Sequence, residues 1–263
     1  MQDRIVPQLN MQKLTENICN FIKSKLGEIR AEGIVIGLSG GIDSSVVAYL
    51  CVRAVGNNKI LGLVLPSKTT SSEDINDAIQ VAEELELKYK TIHIDELMEP
   101  FTKICSRCSA SDLANGNLKA RMRMMILYYH SNAMNRIVAG TGNRTELLIG
   151  YFTKYGDGGV DILPIGDLYK TDVREIAIYL GIPKNIIHKA PTAGLWSGQT
   201  DEEELGIKYE DLDKILYLMI DKNLSAPEIA KWFKIEENEV LRIKKMVESS
   251  KHKLELPPVA EIR

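Results

Sequence analysis

The chain has 263 residues, 44% of them hydrophobic, enough to bury a full core as one large domain or as one domain with a helical appendage. Its 33 Lys+Arg against 36 Asp+Glu give a formal net charge of −3, which supplies no bulk basicity for nucleic acid or an anionic membrane surface. No apolar run approaches the ~18–20 residues of a membrane span and the N-terminus lacks a basic-then-apolar leader, so a cytoplasmic protein without membrane or nucleic-acid partners is expected.

Residues 11–31 read as an amphipathic helix and Ile34-Val35-Ile36-Gly37-Leu38 as a buried strand. That strand runs straight into Ser39-Gly40-Gly41-Ile42-Asp43-Ser44, and Ser44-Ser45-Val46-Val47-Ala48-Tyr49-Leu50 opens a helix over 44–55. Two glycines between a strand and a helix N-terminus let backbone N–H groups approach an anion, so the segment reads as a phosphate-cradling loop. It ends in no Gly-Lys-Ser/Thr, so it is not a Walker A loop, and no Gly-x-Gly-x-x-Gly marks a dinucleotide fingerprint. Asp43 stands where a lysine would. An acid in an anion site repels phosphate unless a cation bridges the two, which makes Asp43 a candidate Mg²⁺ ligand.

Residues 59–65 read as a second strand. Ser71-Ser72-Glu73-Asp74 has the cap-then-acid character of a helix start, and Ile75, Ala78, Ile79, Ala82 and Leu85 continue that helix. A third short strand is expected over 91–94. A long helix follows over 115–135, with Leu118, Met122, Met125, Ile126 and Tyr129 on one face as core filler. Residues 137–139 form a fourth strand that delivers Gly140-Thr141-Gly142-Asn143-Arg144-Thr145-Glu146 at its carboxyl end. The alternation of strand and helix periods predicts an α/β fold, a doubly wound, mostly parallel sheet flanked by helices. Ligands of such sheets sit beyond the carboxyl ends of strands, so the loops after strands one and four should face one site.

Residues 151–161 and 189–196 are too rich in small and turn residues for regular structure and are long enough to be functional loops. Helices are expected over 170–180, 209–221, 225–233 and 237–250. The organisation predicted is one domain over 1–263: an N-terminal helix in 1–33, a nucleotide-binding core in 34–200 and a C-terminal helical segment and tail in 201–263. Of Cys19, Cys51, Cys105 and Cys108, the last two form a close pair without two further zinc ligands at a recognisable spacing, so all four read as incidental reduced thiols.

The loop 39–44 resembles the pyrophosphatase loop of the N-type ATP pyrophosphatases, which cleave ATP between the α and β phosphates. The resemblance narrows to the NAD synthetase family through Gly116-Asn117-Leu118-Lys119-Ala120-Arg121, the block 140–146, Lys154-Tyr155-Gly156-Asp157-Gly158-Gly159-Val160-Asp161, Leu168-Tyr169-Lys170-Thr171 and Pro191-Thr192-Ala193-Gly194-Leu195-Trp196. These blocks stand in the family's order over about 34–200. The resemblance implies an adenine nucleotide alpha hydrolase-like, Rossmann-like core with C-terminal helices, and a homodimer. It implies that the nicotinate carboxylate of deamido-NAD attacks the α-phosphate of ATP, and that ammonia then displaces AMP to give NAD.

Residue by residue, the resemblance makes Gly37, Leu38, Ser39, Gly40, Gly41, Ile42, Asp43 and Ser44 the ATP loop, with Thr141, Lys170 and Thr192 as further ATP contacts. It makes Asp43 and Glu146 the Mg²⁺ pair, and Arg121, Lys154, Asp161, His252 and Lys253 the deamido-NAD contacts. Catalysis would rest on Asp43, Glu146, Lys170 and Asp161. About 33 residues precede the first strand, short of the ~100 a catalytic domain needs, so ammonia is expected as free solute or from a separate subunit. A tRNA-thiolating member of the same superfamily, with Cys105 and Cys108 handling sulfur, is the alternative. The helix-turn-helix mimicry of 225–233 and 237–247 raises a nucleic-acid-binding reading, which leaves the ATP loop without a purpose.

Overall fold

The structure is a computed structural model and describes residues 5–105, 111–192, 194 and 200–262. Its first half comprises α1 (Met11–Ile29), β1 (Gly33–Gly37), α2 (Ile42–Val55), β2 (Ile60–Val64), α3 (Ser72–Glu84), β3 (Lys88–Thr91), α4 (Asp95–Ile104), α5 (Asp112–Ala133) and β4 (Arg136–Ala139). Then come α6 (Arg144–Ile149), α7 (Lys170–Leu180), α8 (Lys184–Ile187), α9 (Asp201–Leu205) and α10 (Tyr209–Leu216). A widened helical turn (Tyr217–Asp221) leads on to α11 (Ala226–Phe233) and α12 (Glu237–Ser250).

The four strands are parallel and ordered β3-β2-β1-β4. Ile34, Val35 and Ile36 of β1 are fully buried, and they alternate between two cores as a strand's period of two requires. Ile34 and Ile36 join Val46, Leu50, Ile22 and Ile176 from α2, α1 and α7, whereas Val35 joins Leu63, Ile94 and Ile126 on the α5 side. Each such Ile or Leu contributes about 1.5–3 kcal/mol by leaving water. A third core lies beyond the sheet, where Ile149 and Tyr169 meet Tyr209, Leu212, Ile229, Val240 and Ile243.

The winding reverses once. β2 and β3 build outward on one side of β1, and β4 then returns to its other side, so the carboxyl ends of β1 and β4 emerge together at a topological switch point. The expected doubly wound sheet is therefore present, and α7 spans the range predicted for it. Ser71 caps α3 by accepting the Asp74 N–H at 3.0 Å.

Three local expectations are corrected. β3 is Lys88–Thr91, not 91–94: its residues are exposed on an edge, and the apolar signal of Ile94 belongs to a buried turn at the start of α4. Helices α4, α6, α8 and α9 were not anticipated, because they are short or lack buried apolar periodicity. On α5, Met122 and Ile126 are buried as expected, but Met125 and Tyr129 are 55% and 74% exposed, since the helix turns a narrower face to the sheet than the pattern suggested.

Candidate active site

β1 hands the chain to a turn whose shape depends on Gly40. Its φ of +79° lies in the left-handed region, and a Cβ there would sit 2.1 Å from the Asp74 carbonyl oxygen, so the glycine admits the N-terminal end of α3 against the loop. Ser39 Oγ accepts the Gly41 N–H at 3.2 Å and lies 3.0 Å from Ser44 Oγ, while the Ser45 hydroxyl donates to the Gly41 carbonyl at 2.9 Å. α2 starts at Ile42, two residues before the predicted start, which puts Asp43 in its first turn. Gly41 caps it without a side chain, leaving the first helical amides to a ligand.

At the mouth of the switch point three charged groups from three elements converge. Lys170 Nζ lies 2.5 Å from Asp43 Oδ2 and 3.3 Å from Glu146 Oε1. Lys170, the first residue of α7, is only 2% exposed, with its ammonium 5.2 Å from the centre of the Tyr209 ring. Asn143 holds the carboxylates in place: its Nδ2 donates to Asp43 Oδ1 at 2.9 Å, and its Oδ1 accepts the Glu146 N–H at 3.0 Å in the capping box that starts α6. The Asn-x-x-Glu spacing of that box is legible in the sequence, but Asn143's second contact, to Asp43, is not. Burial pushes the Glu146 carboxyl up to about 8, against the pull of Lys170 and with the push of Asp43. Burial also disfavours the Lys170 charge, yet Asp43 and Glu146 outweigh it and hold the ammonium above its ordinary range.

This centre borders a cavity of about 720 Å³, within the range of small-molecule sites. Gly37, Leu38, Ser39, Gly41, Ile42, Asp43, Ser44, Thr141, Glu146, Lys170, Thr192 and Lys253 line it. Gly40, Arg121, Lys154, Asp161 and His252 are not among the lining residues. Arg121, exposed on α5, donates from Nη2 to the Lys154 carbonyl at 3.3 Å, and Lys154 Nζ donates to the carbonyls of His252 and Glu255, forming an outer patch. The Asp161 carboxylate accepts the Val138 N–H of β4 at 2.7 Å and the Tyr128 hydroxyl at 3.0 Å. Lys253 reaches inward and donates to the Gly150 and Phe152 carbonyls at 2.6 and 2.9 Å.

Two cavity residues escaped the sequence reading. Asp201, 4% exposed at the start of α9, accepts the Tyr209 hydroxyl at 3.0 Å. Lys189 donates to Asp74 at 2.9 Å and to the Gly40 carbonyl at 3.4 Å and pairs with Asp77, tying the segment after α8 to the loop and α3. Both look like ordinary surface charges in sequence. Cys19 and Cys51 are buried and Cys105 is exposed, all three free. Cys108, and Ala193, Leu195 and Trp196 of the block after Lys189, lie outside the described residues.

A family model for NAD synthase matches residues 14–257. An NH(3)-dependent NAD(+) synthetase of Archaeoglobus fulgidus is 50% identical over 256 residues, covering 97% of this chain and 99% of that one. The chain belongs to the NAD synthase family. Its fold matches solved structures of an NMN synthetase from Francisella tularensis (TM-score 0.85, 38% identity, 97% of this chain and all of that one) and of an NH3-dependent NAD synthetase from Campylobacter jejuni in complex with the nitrate ion (TM-score 0.80, 30% identity, 97% and 100%). A match running from α1 to beyond α12 does not favour the thiolation alternative, and it takes in the helices that suggested nucleic-acid binding. Those helices bury Ile229, Val240 and Ile243 in the core beyond the sheet, as an NAD synthase C-terminal segment.

Proposed function

We propose that the chain makes NAD from deamido-NAD, ATP and ammonia, releasing AMP and pyrophosphate. The observation that carries this reading is the Asp43–Lys170–Glu146 centre at the switch point of an NAD synthase fold, beside a helix N-terminus with unspent amides. In the first step an oxygen of the nicotinate carboxylate bonds to the α-phosphorus and the bond to the β-phosphate's bridging oxygen breaks. In the second, ammonia bonds to the acyl carbon, AMP leaves with the C–O electron pair, and the nitrogen gives up a proton. The difficulty is charge, because two polyanions must meet. The uncapped first amides of α2 are proposed to face the departing pyrophosphate, Lys170 to neutralise phosphate oxygens, and Thr141 and Thr192 to offer hydroxyls from the cavity wall.

The donor set suits Mg²⁺. Asp43 and Glu146, their side chains 18% and 17% exposed, would supply two hard oxygen ligands, the kind of partial carboxylate set that Mg²⁺ accepts when it binds together with substrate phosphates. Among the described residues no group of three or more His, Cys, Asp or Glu would hold a metal alone, which accords with an ion that arrives with ATP. Bound there, Mg²⁺ would stabilise charge on the transferring phosphoryl group.

The proposal extends to the deamido-NAD contacts Arg121, Lys154, Asp161, His252 and Lys253. Lys253 faces the cavity and the others lie outside its lining, so the full site is proposed to need a second subunit. A homodimer is supported by Leu113, Met125 and Tyr129, 62%, 55% and 74% exposed on the same helix as Arg121. Residues 1–263 are proposed to act as one domain, since α1 shares the core beneath the sheet and α10–α12 pack on α6. No described helix is long and apolar enough to cross a membrane, and a cytoplasmic setting is proposed from the free thiols. A second reading, amidation of the mononucleotide, is supported by the likeness to an NMN synthetase. The test incubates purified protein with ATP, MgCl₂ and ammonium chloride plus deamido-NAD or nicotinate mononucleotide. NAD with AMP and pyrophosphate is expected from the dinucleotide. Preference for the mononucleotide would install the second reading, and amidation of neither would overturn both.

A further inference from the structure

Lys170 is gripped at both ends by α10, a helix outside the sheet core. Tyr209 and Asp213 lie one turn apart on one face of that helix. The Tyr209 ring sits against the Lys170 ammonium, while Asp213, fully buried, reaches the start of α7. Asp213 Oδ2 accepts the Thr171 N–H at 2.8 Å, and Oδ1 accepts the Thr145 hydroxyl at 2.6 Å. That hydroxyl oxygen accepts the Lys170 N–H at 2.9 Å. One carboxylate thus takes up two otherwise orphaned amides of α7, one directly and one through Thr145. Thr145 is the residue before Glu146, and Lys170 carries the ammonium that Glu146 and Asp43 share.

We propose that Asp213, acting through Thr145, is a positioning residue for the amidation reaction, setting the spacing of Lys170 and Glu146 across the mouth of the site. The inference rests on the reading of Lys170 as the group that neutralises ATP phosphate. A buried carboxylate is a costly way to cap a helix, because its desolvation is offset only when every lone pair is engaged, and a serine or asparagine would satisfy the same amides. What the carboxylate adds is a strong acceptor for the Thr145 hydroxyl; burial pushes its pKa up, and the hydrogen bonds from Thr145 and Thr171, with the charge of Lys170, oppose that push. The C-terminal helical segment is then part of the apparatus that aligns the reacting groups. Misplacement by a fraction of an ångström is felt in turnover more than in substrate binding.

The experiment measures kcat and the KM for ATP, with thermal melting alongside, for Asp213→Asn, Thr145→Val, Thr145→Ser and the Asp213→Asn/Thr145→Val double variant. Lys170→Met serves as control. Asp213→Asn and Thr145→Val should each lower kcat by about 10- to 100-fold while KM moves less than about threefold. The double variant should be no worse than the weaker single, and Thr145→Ser, which keeps the hydroxyl, should stay within about threefold of wild type. Wild-type kcat in Thr145→Val overturns the proposal whether or not Asp213→Asn folds, and so does a Thr145→Ser variant as impaired as Thr145→Val. If Lys170→Met is itself fully active, the reading of the centre fails. If it is inactive while both other single variants turn over normally, only the positioning role fails.

Discussion

Lys170 carries its charge where water scarcely reaches, held between the side chains of Asp43 and Glu146. Removing either acid takes away half of the proposed Mg²⁺ pair and leaves the fold its cores. Asp43→Asn or Glu146→Gln should therefore lower turnover by about two to three orders of magnitude with circular dichroism unchanged. Near-normal turnover at saturating Mg²⁺ would remove that residue from the centre. Glu146 also makes stability depend on pH. Its ordinary value of 4.5 rises to about 8 in the folded protein, so the ligand-free fold holds a proton that the unfolded chain has lost. The stability from this group is fully present below about 4.5 and is lost as pH rises through about 8. Without ATP or metal, the Tm of wild type minus that of Glu146→Gln should fall steadily between pH 5 and 8.5. Parallel melting curves across that range would contradict it.

At the scale of elements, the loop after β1 is shaped by what packs behind it as much as by what it binds. The Asp74 carbonyl of α3 presses on Gly40, and Lys189 spans the Gly40 carbonyl, Asp74 and Asp77. Gly40→Ala combines a left-handed φ with a backbone clash that no side-chain rotation relieves, so about 2 kcal/mol or more of stability should be lost, together with ATP affinity. Urea unfolding and nucleotide titration measure the two losses. An alanine variant of wild-type stability would show that α3 can withdraw from the loop.

For the whole molecule, the exposed apolar side chains of α5 beside Arg121 join the homodimer proposal to the proposed substrate site. Met125→Glu with Tyr129→Glu should halve the mass seen by sedimentation equilibrium and raise the KM for deamido-NAD more than that for ATP. A wild-type protein that sediments as a monomer under assay conditions would dispose of the proposal. The nitrogen source is testable at the same scale. Cys19 and Cys51 are buried within α1 and α2, and Cys105 ends α4, so none of the described thiols stands at a strand-to-helix elbow as a glutaminase nucleophile would. Purified chain given glutamine freed of ammonium should make almost no NAD, and ammonium chloride should restore synthesis. Efficient use of that glutamine would reveal an amidotransferase activity.

Local chemistry was legible from residues alone wherever one stretch of chain does one job. The apolar run into Ser39–Ser44 and the cap at Ser71 needed no partner to be recognised, and the alternation of periods announced the parallel sheet. The order β3-β2-β1-β4 was not written in any segment; it settles which loops become neighbours, and it brings Asp43 beside Asn143 across 100 residues of chain, with Glu146 one helical turn further on. β3 was misread by a few residues because an edge strand buries nothing and so carries no apolar pattern. Asp201, Asp213 and Lys189 look like solvated charges in sequence, and only packing from distant segments buries the two acids and half-buries Lys189 beside the site. Periodicity and turn chemistry are short-range properties of the chain, whereas burial and charge pairing exist only once remote segments have displaced water from one another.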